Sequence, residues 1–130
     1  MMKLTRFHLL TTFVFLLSFS TLLHAAKYHI ASQDDFDRLK TSQFLAGDQI
    51  LFKRGSRFIG MFAPTGQGTP QAPILISTYG KGNRPIINAK GKHEAGLLLL
   101  NISFWEINGL EITNPYKNLG PEPVPYFLEY

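Results

Sequence analysis

Arg57, Lys81 and Trp105 recur at intervals of 24 residues, and Arg84 follows close behind Lys81. A basic and aromatic strip of that kind suits an acidic sugar. Cleaving a uronic-acid polymer by elimination requires a Lys or Arg base to take the proton beside a carboxylate, and a cationic group to neutralise that carboxylate. Arg57, Lys81 and Arg84 are therefore the candidate catalytic residues, and Arg57, Lys81 and Trp105 the candidate substrate-binding residues. A plainer reading stands beside this one. Like charges stacked one above another repel, so Arg57 and Lys81 would sit in separate solvated turns, while Trp105, two positions before Ile107, would turn into the core.

Other reactive types are sparse. A glycosidase needs two carboxylates roughly 5 to 9 Å apart, and Glu106 with Glu111, on either side of Asn108-Gly109, is the one plausible pair; exposed acids beside a turn more often serve solubility. His93 and Glu94 lie in a loop with no second His at ligand spacing, which predicts no metal site. Asp34, Asp35 and Asp37 lack the spacing and the Gly of a Ca²⁺-binding loop and read as acids at a helix start. Gly66-Gln67-Gly68 runs into Pro70 and Pro73 rather than opening a helix, so it is a turn and not a phosphate cradle. Asn88, Asn101, Asn108 and Asn114 fall where strands end and are expected to satisfy neighbouring backbone groups; Asn101-Ile102-Ser103 also has the form of a glycosylation acceptor. With no Cys in the chain, thiol nucleophiles, disulfides and thiolate metal sites are all excluded.

The elements that must position these residues begin after an export leader. Lys3 and Arg6 precede an apolar run of about 15 residues ending at Leu23, short of the roughly 20 that span a bilayer, and His24, Ala25 and Ala26 follow. Residues 1–26 are thus expected to be a signal peptide, placing the mature chain in a secreted or periplasmic setting with no membrane attachment. Without Lys3 and Arg6 the formal charge falls from +4 to +2, and the basic residues are spread along the chain, which argues against nucleic acid as a partner. A short strand near Lys27 to Ala31 leads to Ser32, an N-cap residue, and to a small helix expected over 33–42 with Phe36 and Leu39 on its apolar side.

From Ala46 the pattern becomes short apolar runs separated by Gly, Pro, Asn and Ser. Ile50-Leu51-Phe52, Ile74-Leu75-Ile76 and Leu98-Leu99-Leu100 repeat at 24 residues, as do Phe62, Ile86 and Leu110. The segments between are too short and too rich in Gly and Pro for crossover helices, so the repeat predicts a β-solenoid whose turns lie parallel. An antiparallel sandwich is the rival, but it supplies no reason for two columns to share one interval.

The stretches AGDQILFKRGSRFIG at 46–60, GQGTPQAPILISTYGKGNRPIIN at 66–88 and LLLLNISFWEINGLEITN at 97–114 together resemble the secreted right-handed parallel β-helix proteins of the pectate-lyase-like superfamily. The resemblance covers roughly Tyr28 to Asn114. It implies an all-β, right-handed parallel β-helix of about three rungs of ~24 residues with a short N-terminal capping helix. The expected layout is a strand and cap over 27–45, rungs over 46–114 and a Pro-rich tail over 115–130. It also implies polysaccharide work outside the cell, with Ca²⁺ as a cofactor through the resemblance alone; none of the family's catalytic positions can be carried over, because the matching stretches end first. Two functions follow: a truncated relative that binds polysaccharide without a complete active site, or a small polysaccharide lyase completed by oligomerisation. Stacking at 24 predicts inward columns of Ile50, Ile74 and Leu98 and of Phe52, Ile76 and Leu100, and an outer stripe of Leu51, Leu75 and Leu99. Such a stripe would need cover from Tyr126, Phe127, Leu128 and Tyr130 or from a second copy, and the open rung edge is another homo-oligomer contact.

Overall fold

The computed structural model describes residues 25–115, so all but the last two residues of the expected leader and all but the first residue of the expected tail lie outside the described residues. The first structured segment is β1 (Lys27–Ile30), followed by α1 (Gln33–Leu39). Ser32 starts the helix as expected: its side chain accepts from the Asp35 amide, and the Asp35 carboxylate accepts from the Ser32 amide, a reciprocal capping box. The helix ends at Leu39 rather than residue 42, with Lys40 as its C-cap. From there the chain leaves to pair with the next coil, through the Ala63 amide donating to the Lys40 carbonyl at 2.7 Å.

Six further strands follow: β2 (Gln49–Lys53), β3 (Arg57–Ile59), β4 (Ile74–Tyr79), β5 (Ile86–Asn88), β6 (Trp105–Ile107) and β7 (Glu111–Thr113). They form one sheet in the order β1-β2-β4-β6 and a second in the order β3-β5-β7, every pairing parallel. From β2 onward, parallel neighbours are joined through the other sheet with no helix between them, which makes a coil. The described chain is an all-β parallel β-solenoid of about three turns. A third, less regular side is held by parallel bridges Gln43–Thr65 and Phe62–Leu97 and by bonds such as Leu98 amide to Phe62 carbonyl at 2.9 Å.

The ladders correct the 24-residue stacking. Tyr28 faces Ile50, Ile50 faces Ile76 and Ile76 faces Ile107, so successive steps in the first sheet are 22, 26 and 31 residues. In the second sheet Phe58 stacks beneath Ile87 and Ile87 beneath Ile112. The supposed column of Phe62, Ile86 and Leu110 does not exist: Ile86 lies between Arg57 and Glu111, and Phe62 bridges to Leu97. Only ladder residues are held in register, whereas the corner loops can lengthen freely; 66–73, 80–85 and 89–96 absorb the extra residues. Because 24 and 26 are both even, the error kept each side chain of β4 on its proper face. Ile50, Phe52, Ile74 and Ile76 are accordingly fully buried. The third member of the column fails. Leu98 and Leu99 are half-buried on the third side and Leu100 is exposed, while Trp105 and Ile107 take the inward places in the first sheet.

The outer leucine stripe is likewise broken up. Leu51 stands between His29 and Ser77, and Leu75 between Gln49 and Glu106, so each is an isolated apolar residue on a mixed face. Inside, the core is aromatic: Phe36 stacks on Phe58 at 5.6 Å, and Phe52 meets Phe58 and Phe62 edge-on at 5.5 and 5.3 Å. Each such side chain, moved from water into this interior, contributes about 1.5–3 kcal/mol. Phe36 closes the lower end of the coil, which is how α1 comes to act as a cap.

Candidate functional site

The corner between the two sheets is built from two turns lying one on the other. Lys53 to Arg57 form the lower turn and Tyr79 to Ile86 the upper. The Arg54 amide donates to the Tyr79 carbonyl at 2.9 Å, Gly55 to Asn83 at 2.8 Å, and Ile86 to Ser56 at 3.0 Å. Lys53 is in register with Tyr79, and Arg57 with Ile86. The Arg54 guanidinium reaches up to the Gly82 carbonyl at 3.3 Å. Both turns need glycines because they bend through positive φ, +80° at Gly55 and +115° at Gly82.

This corner gathers five cations, Lys53, Arg54, Arg57, Lys81 and Arg84, and its two segments contain no acid. Among the described residues, the two ion pairs, Arg38–Asp35 and Lys40–Asp37, both lie on α1 and its C-cap, so none of the five cations belongs to one. Arg57, Lys81 and Arg84 are exposed. The structure therefore brings these three sequence candidates to one corner, on adjacent turns rather than in one strand column. The result is an exposed, positively charged ridge running along the coil axis, with successive turns spaced roughly 4.8 Å apart.

Trp105 is elsewhere. It opens β6 above Ile74, its ring meets Phe44 edge-on at 6.1 Å, and its Nε1 donates to the Gly66 carbonyl at 3.1 Å. Half-buried against the core with its one polar atom satisfied, it follows the plainer reading of its sequence and does not join the basic corner. Glu106 and Glu111 flank the same corner one turn higher, both exposed, with Glu106 stacked on Leu75 and Glu111 on Ile86. They sit in different sheets on opposite shoulders of Asn108-Gly109.

Among the described residues no three His, Asp or Glu side chains come together. The aspartates of α1 are occupied otherwise. Hydrogen bonds from the Ser32 hydroxyl and the Ala31 amide hold Asp35 below the usual aspartate range, and bonds from Lys40 and Gln33 do the same for Asp37. His93 is exposed, and its carbonyl accepts from the Asn114 side chain at 2.9 Å.

One surface escaped the sequence. An open groove of about 490 Å³ runs along another corner, lined by Gln43, Thr65, Gln67 and Asn101 together with Leu45 and Leu100. Gly66 lies in its lining, where φ is +116° and any Cβ would overlap the Phe44 carbonyl oxygen. The Gln67 amide spans the groove wall, donating to the Asn101 carbonyl at 2.9 Å and accepting from the Ser103 amide at 2.7 Å. Gln67 between two glycines was the only hint in the sequence, since isolated amides carry no spacing rule.

A solved structure shares this coil. It is a GH136 lacto-N-biosidase from Eubacterium ramulus, matched with a TM-score of 0.56 and 23% identity over 75% of this chain. The match spans 22% of that protein, so what is shared is a portion of its fold. No protein-family model matches the chain, and no curated protein matches it.

Proposed function

We propose that the chain is an exported carbohydrate-binding β-solenoid module that holds an anionic polysaccharide along the basic corner. The observation that carries this reading is the stacking of Arg57, Lys81 and Arg84, with Lys53 and Arg54, on two adjacent turns without an acid between them. An extended polymer bearing a carboxylate on each sugar presents charges at regular intervals, and a ridge of cations along a rigid axis meets several at once. The likeness to part of a lacto-N-biosidase supports carbohydrate as the ligand class. The leader-like residues 1–26 support export, and the quoted rung stretches support a place among pectate-lyase-like β-helices. On this reading the described chain binds polysaccharide without cleaving it.

Migration of the purified chain through gels loaded with polygalacturonate, alginate or a neutral glucan tests it. Retardation is expected in the two acidic gels, and it should weaken as salt rises, because exposed charges are screened beyond a Debye length of about 8 Å at physiological ionic strength. Exchanging Arg57, Lys81 and Arg84 together for Ala removes three exposed contacts of about 0.2–1 kcal/mol each. That corresponds to roughly a tenfold loss of affinity. Equal migration of the wild type in acidic and neutral gels would discard the proposal.

The second reading is a polysaccharide lyase, and it is favoured by the same convergence of Arg57, Lys81 and Arg84. One of these groups, in its uncharged form, would take the proton beside a uronate carboxylate while the others neutralise that carboxylate; the bond to the leaving sugar oxygen would break, that oxygen would take a proton from water, and the product would be unsaturated. Following ultraviolet absorbance of the unsaturated sugar, with and without added Ca²⁺, separates the two readings.

A further inference from the structure

With Trp105 packed against the core, the aromatic that stands at the basic corner is Tyr79. Tyr79 ends β4, is in register with Lys53, accepts the Arg54 amide through its carbonyl at 2.9 Å, and opens the upper turn two residues before Lys81. Alternation fixes where its side chain goes. Ile74 and Ile76 are fully buried, so Leu75, Ser77 and Tyr79 face outward, as do Leu51 and Lys53 on β2 and His29 on β1. The Tyr79 ring meets the His29 ring edge-on, with centroids 4.9 Å apart. Because β2 lies between β1 and β4, the two rings meet over its outer face and the pair runs along the coil axis, parallel to the ridge of cations. His29 and Lys53 are exposed and Tyr79 is half-buried, which leaves an aromatic surface open to solvent beside an ammonium. The acid carried by the strands of this sheet, Glu106, is distant: it stands on Leu75, four residues from Tyr79.

We propose that Tyr79, held edge-on by His29, is a stacking platform for one uronate ring of the polysaccharide, with Lys53 at that sugar's carboxylate. This rests on the reading of the corner as an anionic-polysaccharide site, and it adds what cations alone lack, a means of telling a sugar acid from any other polyanion. Coulomb attraction to the ridge makes no such distinction. A pyranose carries C–H groups on its faces and polar groups around its rim, so one face can lie on the Tyr79 ring while the rim stays in water. The carboxylate projects from that rim, and Lys53 starts one strand spacing, roughly 4.8 Å, from Tyr79. Neighbouring sugars then pass to Lys81 and Arg84 on the turn that Tyr79 opens. The ring expected of Trp105 is thus supplied from a position outside the 24-residue column.

The test compares binding of the full chain to polygalacturonate with binding to poly-L-glutamate, which carries carboxylates but no sugar rings. Tyr79→Ala should weaken binding to polygalacturonate by about two- to tenfold, the range of one aromatic contact, and change binding to poly-L-glutamate by less than about twofold. Tyr79→Phe brings back the ring and should recover most of the lost affinity. Exchanging Arg57, Lys81 and Arg84 together for Ala should instead weaken binding to both polymers. Equal losses on both polymers with Tyr79→Ala, or no loss on polygalacturonate while the wild type binds it, overturn the platform and leave the basic corner standing; a wild type that binds no acidic polysaccharide fails the corner and the platform together. Should Tyr79→Ala not fold, Tyr79→Leu takes its place, keeping apolar bulk without a ring. Proton NMR of a galacturonate oligomer gives an independent readout: its ring C–H signals should move upfield with the wild type, through the aromatic ring current, and stay in place with Tyr79→Leu. Upfield shifts that survive Tyr79→Leu count against the platform.

Discussion

At the scale of single residues, Asp48 shows how a buried carboxylate can serve the fold alone. It is 2% exposed, and its two oxygens accept from the Ala26 amide at 2.9 Å and the Leu45 amide at 2.8 Å. Asp48 thereby ties the start of β1 to the loop that enters β2. Asp48→Ala strands two backbone donors and should lower stability by about 1–3 kcal/mol, measured by denaturant unfolding. Asp48→Asn keeps one acceptor and should lose less; equal losses would mean that packing, not hydrogen bonding, is what Asp48 supplies. Nothing in the sequence distinguished Asp48 from any other loop acid, because its role depends on a partner 22 residues away that only the first coil brings near. Trp105 was more legible. Its position two before Ile107 in an alternating segment pointed inward, and the core position above Ile74 agrees. The asparagines were legible for a local reason: Asn88 accepts from the Lys90 amide at 2.8 Å, and Asn101 adopts a φ of +53°, both within reach of propensity alone.

At the scale of the element, α1 was readable because its start is encoded within four residues, Ser32 to Asp35, and its end was misplaced because the stop is tertiary. Ser32→Ala removes the cap hydroxyl and should lower stability by about 1 kcal/mol. The same bond gives a pH signature. Asp35 is held below its ordinary value of 3.8, mainly by the Ser32 hydroxyl, so its ionised form is favoured in the folded state. Its contribution is complete above the ordinary aspartate range and is lost as pH falls through the lower folded value. Melting temperatures from about pH 6 down to about pH 2 should therefore drop in the acid limb, and more steeply for the wild type than for Ser32→Ala. Parallel acid limbs would show that the capping box adds nothing to acid stability. The third side of the coil resisted sequence reading altogether. Its segments pair through isolated bridges rather than strands, and an apolar run such as Leu97 to Leu100 looks like a strand wherever it is placed.

For the molecule as a whole, repetition was legible and register was not, and the difference is physical. Inward and outward places alternate along any strand, so a spacing estimate that is wrong by two residues still predicts the right face, while an odd step of 31 defeats it. This yields a test on adjacent residues of β4. Under the 24-residue stacking Leu75 belonged to a continuous apolar stripe, and a charge there would be expected to disturb whatever covered it. In the observed register Leu75 is half-buried on the outer face between Gln49 and Glu106, where a lysine ammonium can extend into water beside a carboxylate. Leu75→Lys should stay within about 0.5–1 kcal/mol of the wild type, because a surface change of this kind loses little packing. Ile76→Lys, one residue on and fully buried between Ile50 and Ile107, should cost several kcal/mol or prevent folding, since the coil interior offers an ammonium no partner. Thermal melts of the two variants compare the faces directly. A loss at Leu75 as large as at Ile76 would require an apolar partner on the outer face, and the coil would then have to be drawn with the leucines stacked after all.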